Sequence, residues 1–286
     1  MLLPIRLLRD RWPAPVEKRL ERFVWADTSV ITRPEVTPEQ FREAMSAIHV
    51  GGTIKITSAD RHPEPDALLT ESLDTSELVI ADVGASDGST SLDLIRKLQG
   101  FKGFVISDLF LGISWARKGR RTVFFDPAGT PILLVGHRFI AWPSISRVVR
   151  LLVAPAVRSV AKQEHRPVTL LNPEVVAAIA ADPRITTREH DVFTTWPEPK
   201  PDVIKIANLL RRLYFSDEQI STALRAVHSS IAPGGHLLIV DNSREPGMPP
   251  RGGLYRRTET GFELVRETPH RPEIGELVLA VDASRA

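Results

Sequence analysis

The 286-residue chain has no cysteine, two tyrosines and three methionines. Without cysteine there is no disulfide, no thiolate nucleophile, no iron–sulfur cluster and no cysteine zinc site. The absence fits a reducing compartment, and the cytoplasm is the expected location. No apolar run reaches the ~18 residues of a membrane span. The opening Met1-Leu-Leu-Pro-Ile-Arg-Leu-Leu-Arg-Asp10 puts its charges after its apolar residues, a poor order for a signal peptide. Eight histidines are scattered without metal-ligand spacing, and no Ser/His/Asp order suggests a hydrolase. What is present is ordinary: 42% hydrophobic and 25% charged residues, which excludes global disorder.

The net charge of +2 hides an asymmetry. Residues 115–166 hold ten Lys/Arg and only two acids, Asp126 and Glu164, so this block is +8 and the remainder −6. A basic block on a mildly acidic body implies one anion-attracting face or a solvated insertion. It permits peripheral contact with an anionic membrane; nucleic acid is the less favoured partner.

Along the chain, Val16, Leu20, Phe23 and Val24 fall at helical spacing. Thr37-Pro-Glu-Gln40 is a capping box followed by Phe41, Met45 and Ile48 on one face, and Gly51-Gly52 is the expected stop. Residues 58–76 read as a linker. Then Glu77–Val83 and Phe104–Asp108 read as buried strands on either side of a helix that begins at Ser89. The alternation resumes with a helix from Asn172, strands at Arg184–His190 and Asp202–Ala207, a capping box at Ser216–Gln219, and a strand at His236–Val240. Two more strand-like runs surround Phe262–Arg266 and Glu276–Val281. Alternating strands and helices predict a mostly parallel sheet covered on both faces. Between them, Asp126-Pro-Ala-Gly129 marks a hairpin, and Phe139–Val160 reads as one or two amphipathic helices.

The first strand–helix turn is Asp82-Val-Gly84-Ala-Ser86-Asp87-Gly88. A dinucleotide brings its pyrophosphate to a helix N-terminus and needs glycine at positions 86 and 89, where serines stand. Asp82 and Asp87 would also face the phosphates. At ~4 Å and an effective dielectric of 20, a like-charge pair costs about 4 kcal/mol. A phosphate-free ligand with cationic groups suits this turn better. Asp108 closes the second strand, where a carboxylate can accept both ribose hydroxyls. Asp191-Val192 stands where an acid and a backbone N–H can reach an adenine edge.

On these residues the chain resembles the class I S-adenosylmethionine-dependent methyltransferases over about residues 77–109 and 168–282. The resemblance implies a Rossmann-like, mostly parallel seven-stranded sheet with helices on both faces. The domain is expected at 76–286, preceded by an N-terminal helical cap at 1–75; it departs from the family where a basic hairpin/helical insertion at 110–167 intervenes before the helix that normally follows the second strand at once. The cap and the insertion are expected to cover the site and select the acceptor. By resemblance Asp82 would hold the cofactor's amino group, Gly84, Ser86 and Gly88 would line its methionine part, Asp108 its ribose, and Asp191 and Val192 its adenine. Asn208 falls where the family faces substrate and methyl group. Asn208 with Tyr214-Phe215 is also similar to the chemotaxis-receptor methyltransferases, though their asparagine and tyrosine lie two residues closer. The implied reaction moves a methyl group to oxygen or nitrogen of a small acceptor, an anionic one among the options. No catalytic residue is named beyond the candidates Tyr214, Asn208 and His190.

Asn172 competes with Asp108 for the ribose. A nicotinamide (NAD or NADP) oxidoreductase and a SAM-binding interaction protein without turnover are the alternative functions. Lys205, in a strand expected to be buried, needs an acidic partner or an escape to the sheet's end. Arg211 and Arg212 suit either an anionic substrate or a solvated loop.

Overall fold

The computed structural model describes residues 4–50, 53–54, 61–243 and 247–282. Gly51-Gly52 therefore lies outside the described residues, as do residues 58–60 of the expected linker. The chain divides into two units: residues 1–57 with 110–173, and residues 58–109 with 174–286. This differs from the expected boundaries. The N-terminal segment and the insertion form one unit together, and residues 58–75 belong to the other.

The second unit is built on a seven-stranded sheet. Its strands are β1 (Val79–Val83), β2 (Gly103–Asp108), β3 (Ile185–Glu189), β4 (Val203–Ala207), β5 (His236–Asp241), β6 (Arg251–Arg257) and β7 (Phe262–Glu267). Their spatial order is β3-β2-β1-β4-β5-β6-β7. The first five are parallel; β6 runs antiparallel to both β5 and β7. The helices are α1 (Pro63–Ser72), α2 (Ser89–Lys97), α3 (Pro173–Ala181), α4 (Asp217–Ser230) and α5 (Gly275–Leu279). Both faces of β4 are buried, as its unbroken apolar run requires. One face packs Ile204 and Ile206 with Ile220, Leu224 and Val227 of α4. The α4 capping box forms as expected, Ser216 Oγ accepting from Gln219 N and Gln219 Oε1 from Ser216 N.

Two expectations here need correcting. The segment expected to be a linker contains α1, and the run at Glu276–Val281, expected to be a strand, overlaps the short helix α5. In α1, His62 precedes Pro63 and Pro65 at the helix start, where a missing N–H costs nothing.

The N-terminal segment is not a helical cap: its strands join the sheet of the insertion, which keeps its expected hairpin and helix. The first unit holds a second seven-stranded sheet, mostly antiparallel, ordered Arg166–Thr169, Gly112–Lys118, Arg121–Phe125, Pro131–Val135, Phe139–Ala141, Ile5–Leu8 and Val24–Trp25. The hairpin at Asp126–Gly129 is present: Asp126 O accepts from Gly129 N, and Asp126 Oδ1 from Thr130 N. Alternate residues split between the faces, as the period of two dictates. Val123 and Phe125 meet Val149, Val153, Val157 and Val160 of the helix Arg147–Ala161. Phe124 faces the other way, in the cluster holding Phe41, Met45 and Trp142. The Thr37 capping box opens the helix Pro38–Met45 as expected. Among the described residues, no helix is long and apolar enough to cross a membrane.

Candidate functional site

In the second unit the chain leaves β1 toward β2 and β3 on one side, and later fills β4 and β5 on the other. The crevice of such a sheet lies at the carboxyl ends of β1 and β4. Strand register places the ends in a row: Glu189 opposite Asp108, Ser107 opposite Val83, Val83 opposite Ile206, and Ala207 opposite Val240. The candidate residues thus follow one another across the sheet edge, from His190–Val192 through Asp108 and the Gly84–Gly88 turn to Asn208.

The turn after β1 is held tightly. Gly84 N and Ala85 N both donate to Ser107 O, at 2.9 Å each, and Ser86 N donates to Asp108 Oδ2 at 2.8 Å. Gly84, Ser86 and Gly88 all have left-handed backbones, with φ of +79°, +60° and +78°. For Ser86 that conformation costs about 1–2 kcal/mol; the Asp108 carboxylate helps to hold it there. At position 84 the left-handed backbone favours glycine, and a Cβ there would also crowd Leu209, 2.7 Å from its Cδ2 and 3.1 Å from its Cβ. The Ser86 hydroxyl is buried with no hydrogen-bond partner among the described residues.

The carboxylates divide by surroundings. Asp82 is buried, and its Oδ2 accepts from Ser91 Oγ at 2.7 Å. Burial raises its pKa, against the pull of the Lys205 charge. Asp87 is also buried, with Oδ1 accepting from Ser89 N at the start of α2. Both turn aspartates are therefore engaged with the head of α2. Asp108 is half-buried, and its backbone oxygen accepts from His190 N. Asp191 is exposed and folds its carboxylate onto Phe193 N, while Val192 is buried in the core. The His190 ring stands edge-on to Trp196 at 4.7 Å, and burial lowers its pKa.

Asn208, also left-handed at φ +57°, anchors a polar cluster. Its Nδ2 donates to Asn242 Oδ1 at 2.6 Å, and its Oδ1 accepts from Asn242 N at 2.8 Å. His62 Nε2 lies 3.0 Å from Asn242 Oδ1 and 3.2 Å from Asn208 Nδ2. With Nε2–H donating to Asn242, the ring is neutral and Nδ1 carries a lone pair; that atom is buried without a partner among the described residues. The His62 pKa is lowered to about 3, by burial first and by the Lys205 charge second. His62, one of the eight scattered histidines, is a site residue that the sequence pattern does not single out. The proline pair at positions 63 and 65 was the signal that a helix begins there.

The other candidates resolve individually. Arg211 donates to Asn242 O and pairs with Glu273, and Arg212 pairs with Asp217 and Glu276. Both guanidiniums are engaged by carboxylates, which neither reading of this pair anticipated. Asn172 is buried in the first unit, its amide donating to Pro38 O. Lys205 meets Asp66 of α1, the acidic partner it needed. Tyr214 is 40% exposed, with its ring beside Phe215.

No family model matches the sequence, and no curated protein matches it. Solved structures do match. The N-methyltransferase NodS from Bradyrhizobium japonicum WM9, in complex with S-adenosylhomocysteine, is 15% identical, covering 63% of this chain and 60% of that one, with a TM-score of 0.32. An S-adenosylmethionine-dependent methyltransferase from Mesorhizobium loti is 17% identical over 61% of this chain and 51% of its own, with a TM-score of 0.31. The [4+2]-cyclase SpnF is 16% identical over 64% and 45%, with a TM-score of 0.32. The matched region spans between about half and three-fifths of the first two of these structures.

Proposed function

We propose that the second unit binds S-adenosylmethionine and that the protein is a methyltransferase acting on oxygen or nitrogen of a small-molecule acceptor. The observation that carries this reading is the closure of the α2 N-terminus by Asp87. The Ser89 N–H that a pyrophosphate would use is already taken by a carboxylate. That disfavours a nicotinamide dinucleotide and leaves room for a phosphate-free nucleoside. The residues fit such a group: a glycine-lined turn, the orphaned Ser86 hydroxyl within it, and a carboxylate at the next strand end.

Asp108 would hold the ribose hydroxyls, Asp191 and Val192 the adenine edge, and the turn from Gly84 to Gly88 the methionine part. Asp82, whose Oδ2 accepts from Ser91 Oγ, would hold the amino group directly or through water. When bound, the cofactor supplies an electrophilic sulfonium methyl. The protein's own task is to orient the acceptor, exclude water and, where the nucleophile carries a proton, accept it. Asn208, fixed at both ends of its amide, is the orienting group at the end of β4, and Tyr214 stands farther out with its ring partly in solvent. A preference for anionic acceptors gains nothing from Arg211 and Arg212, which their own carboxylates satisfy.

Isothermal titration tests the reading directly. S-adenosylmethionine and S-adenosylhomocysteine should bind the folded chain and NAD should not. Absence of S-adenosylmethionine binding at millimolar ligand, or binding of NAD in its place, overturns it.

A further inference from the structure

The first unit carries positive charge that its acids do not offset. A cavity of about 700 Å³ is lined by Lys118, Arg120, Arg121, His137 and Arg138, and no carboxylate is among the residues described there. Other guanidiniums of the chain rest on acids, among them Arg184 on Asp182 and Arg266 on Glu71. Here the contacts are neutral: Lys118 Nζ donates to Ser159 Oγ at 2.9 Å, and Arg138 lies over the Trp12 ring at 5.2 Å. His137 is held below the ordinary histidine range by desolvation, and then by the charges of Arg120, Arg11 and Arg138. Cations gathered this closely repel one another until an anion joins them.

The helix Arg147–Ala161 adds a second feature. Its buried stripe of Val149, Val153, Val157 and Val160 covers the sheet. At about 100° per residue, Val148, Leu151, Leu152 and Pro155 form another stripe roughly 100° wide on the outer side. Val148 is 67% exposed, Leu151 75% and Leu152 71%. Ser159 continues this outer face and lines the cationic cavity. Arg147, Arg150 and Arg158 lie on the same helix, and no acid occurs from 127 to 163. Exposed aliphatic side chains, bordered by cations and leading to a cationic hollow, complement acyl chains beneath phosphate headgroups.

We propose that the first unit docks on an anionic phospholipid surface, seating a lipid phosphate in the cavity and Val148, Leu151 and Leu152 at the acyl boundary. The inference is independent of methyl transfer. Co-sedimentation of the full chain with vesicles tests it, using phosphatidylcholine alone and a two-to-one mixture with phosphatidylglycerol. Binding is expected on the mixed vesicles, with little on the neutral ones and a steep loss as salt rises. The double variants Leu151→Asp/Leu152→Asp and Arg120→Ala/Arg121→Ala should each weaken binding at least ~10-fold, given the aliphatic burial and the basic-residue attraction they remove. Their melting temperatures should stay unchanged, since these side chains are exposed. Failure to bind mixed vesicles, or binding indifferent to both double variants, overturns the proposal. Two further outcomes also overturn it. Soluble pyrophosphate binding without any vesicle binding would assign the cavity to free phosphates. A dimer dissolved by Leu151→Asp/Leu152→Asp, again without vesicle binding, would assign the outer stripe to a second copy of the chain.

Discussion

The Lys205 ammonium lies 2.7 Å from Asp66 Oδ1, and neither side chain reaches solvent. Lys205 sits in the middle of β4 and Asp66 in the first turn of α1, so the pair ties the helix to the sheet. Asp66 Oδ2 also accepts from Lys97 at 3.1 Å. Removing one partner of a buried ion pair strands the other charge, at a cost of about 3–5 kcal/mol. Asp66→Ala should therefore lower the denaturant midpoint sharply. Replacing both partners with apolar residues, as in Asp66→Leu/Lys205→Met, should recover most of that loss. A single variant as stable as the native protein would mean that Lys205 finds other solvation.

Asp108 supports the turn and is also the proposed ribose acceptor, and two substitutions separate these roles. Asp108→Asn keeps an oxygen able to accept from Ser86 N, and Asp108→Ala removes it. Loss of the carboxylate should weaken S-adenosylmethionine binding by about 1–3 kcal/mol in both variants. Only the alanine variant should also loosen the turn, read as faster amide exchange at Ser86. Titration calorimetry showing native affinity in both variants would move the ribose elsewhere.

Much of this site was legible because its signals are local. The apolar runs of β1, β2, β4 and β5, the Gly84–Gly88 turn and the two capping boxes each sit within a few residues of chain. The pairing of Ile5–Leu8 with Phe139–Ala141 is long-range, and no local period reports it. Local patterning alone therefore points to a helical cap plus an insertion instead of this second sheet. Ser, Asp, Glu and Pro around α1 suggested a linker, yet Asp66 is there to meet a lysine buried far along the chain. The His62–Asn242–Asn208 cluster was hidden for the same reason: its members come from three separate strand or helix ends.

Tyr214 allows function to be separated from folding. It is 40% exposed, and its ring contact is with its neighbour Phe215. Tyr214→Phe should change unfolding free energy by no more than about 0.5 kcal/mol, the usual range for surface substitutions. A fall in methyl-transfer rate in that variant, once an acceptor is found, would then report on the phenol itself. A large loss of stability would instead show that the hydroxyl is structural.

His62 makes the stability of the second unit depend on pH. Its pKa is lowered to about 3 in the folded state, because the ring is buried and faces the Lys205 charge. In the unfolded chain it titrates near the ordinary value of about 6.5. Between those values the unfolded state binds the extra proton, so stability rises with pH. The neutral ring's contribution is complete above about pH 6.5 and is lost as the pH falls toward 3, at up to about 1.4 kcal/mol per unit. Asp82 and Asp241, both raised by burial, act in the opposite direction, so the comparison is best made between variants. His62→Gln keeps a hydrogen-bonding group beside Asn242 and cannot titrate. Denaturant melts from pH 4 to 7 should show a shallower rise for His62→Gln than for the native chain. Parallel curves would mean that the imidazole is charged, or reaches water, in the folded protein.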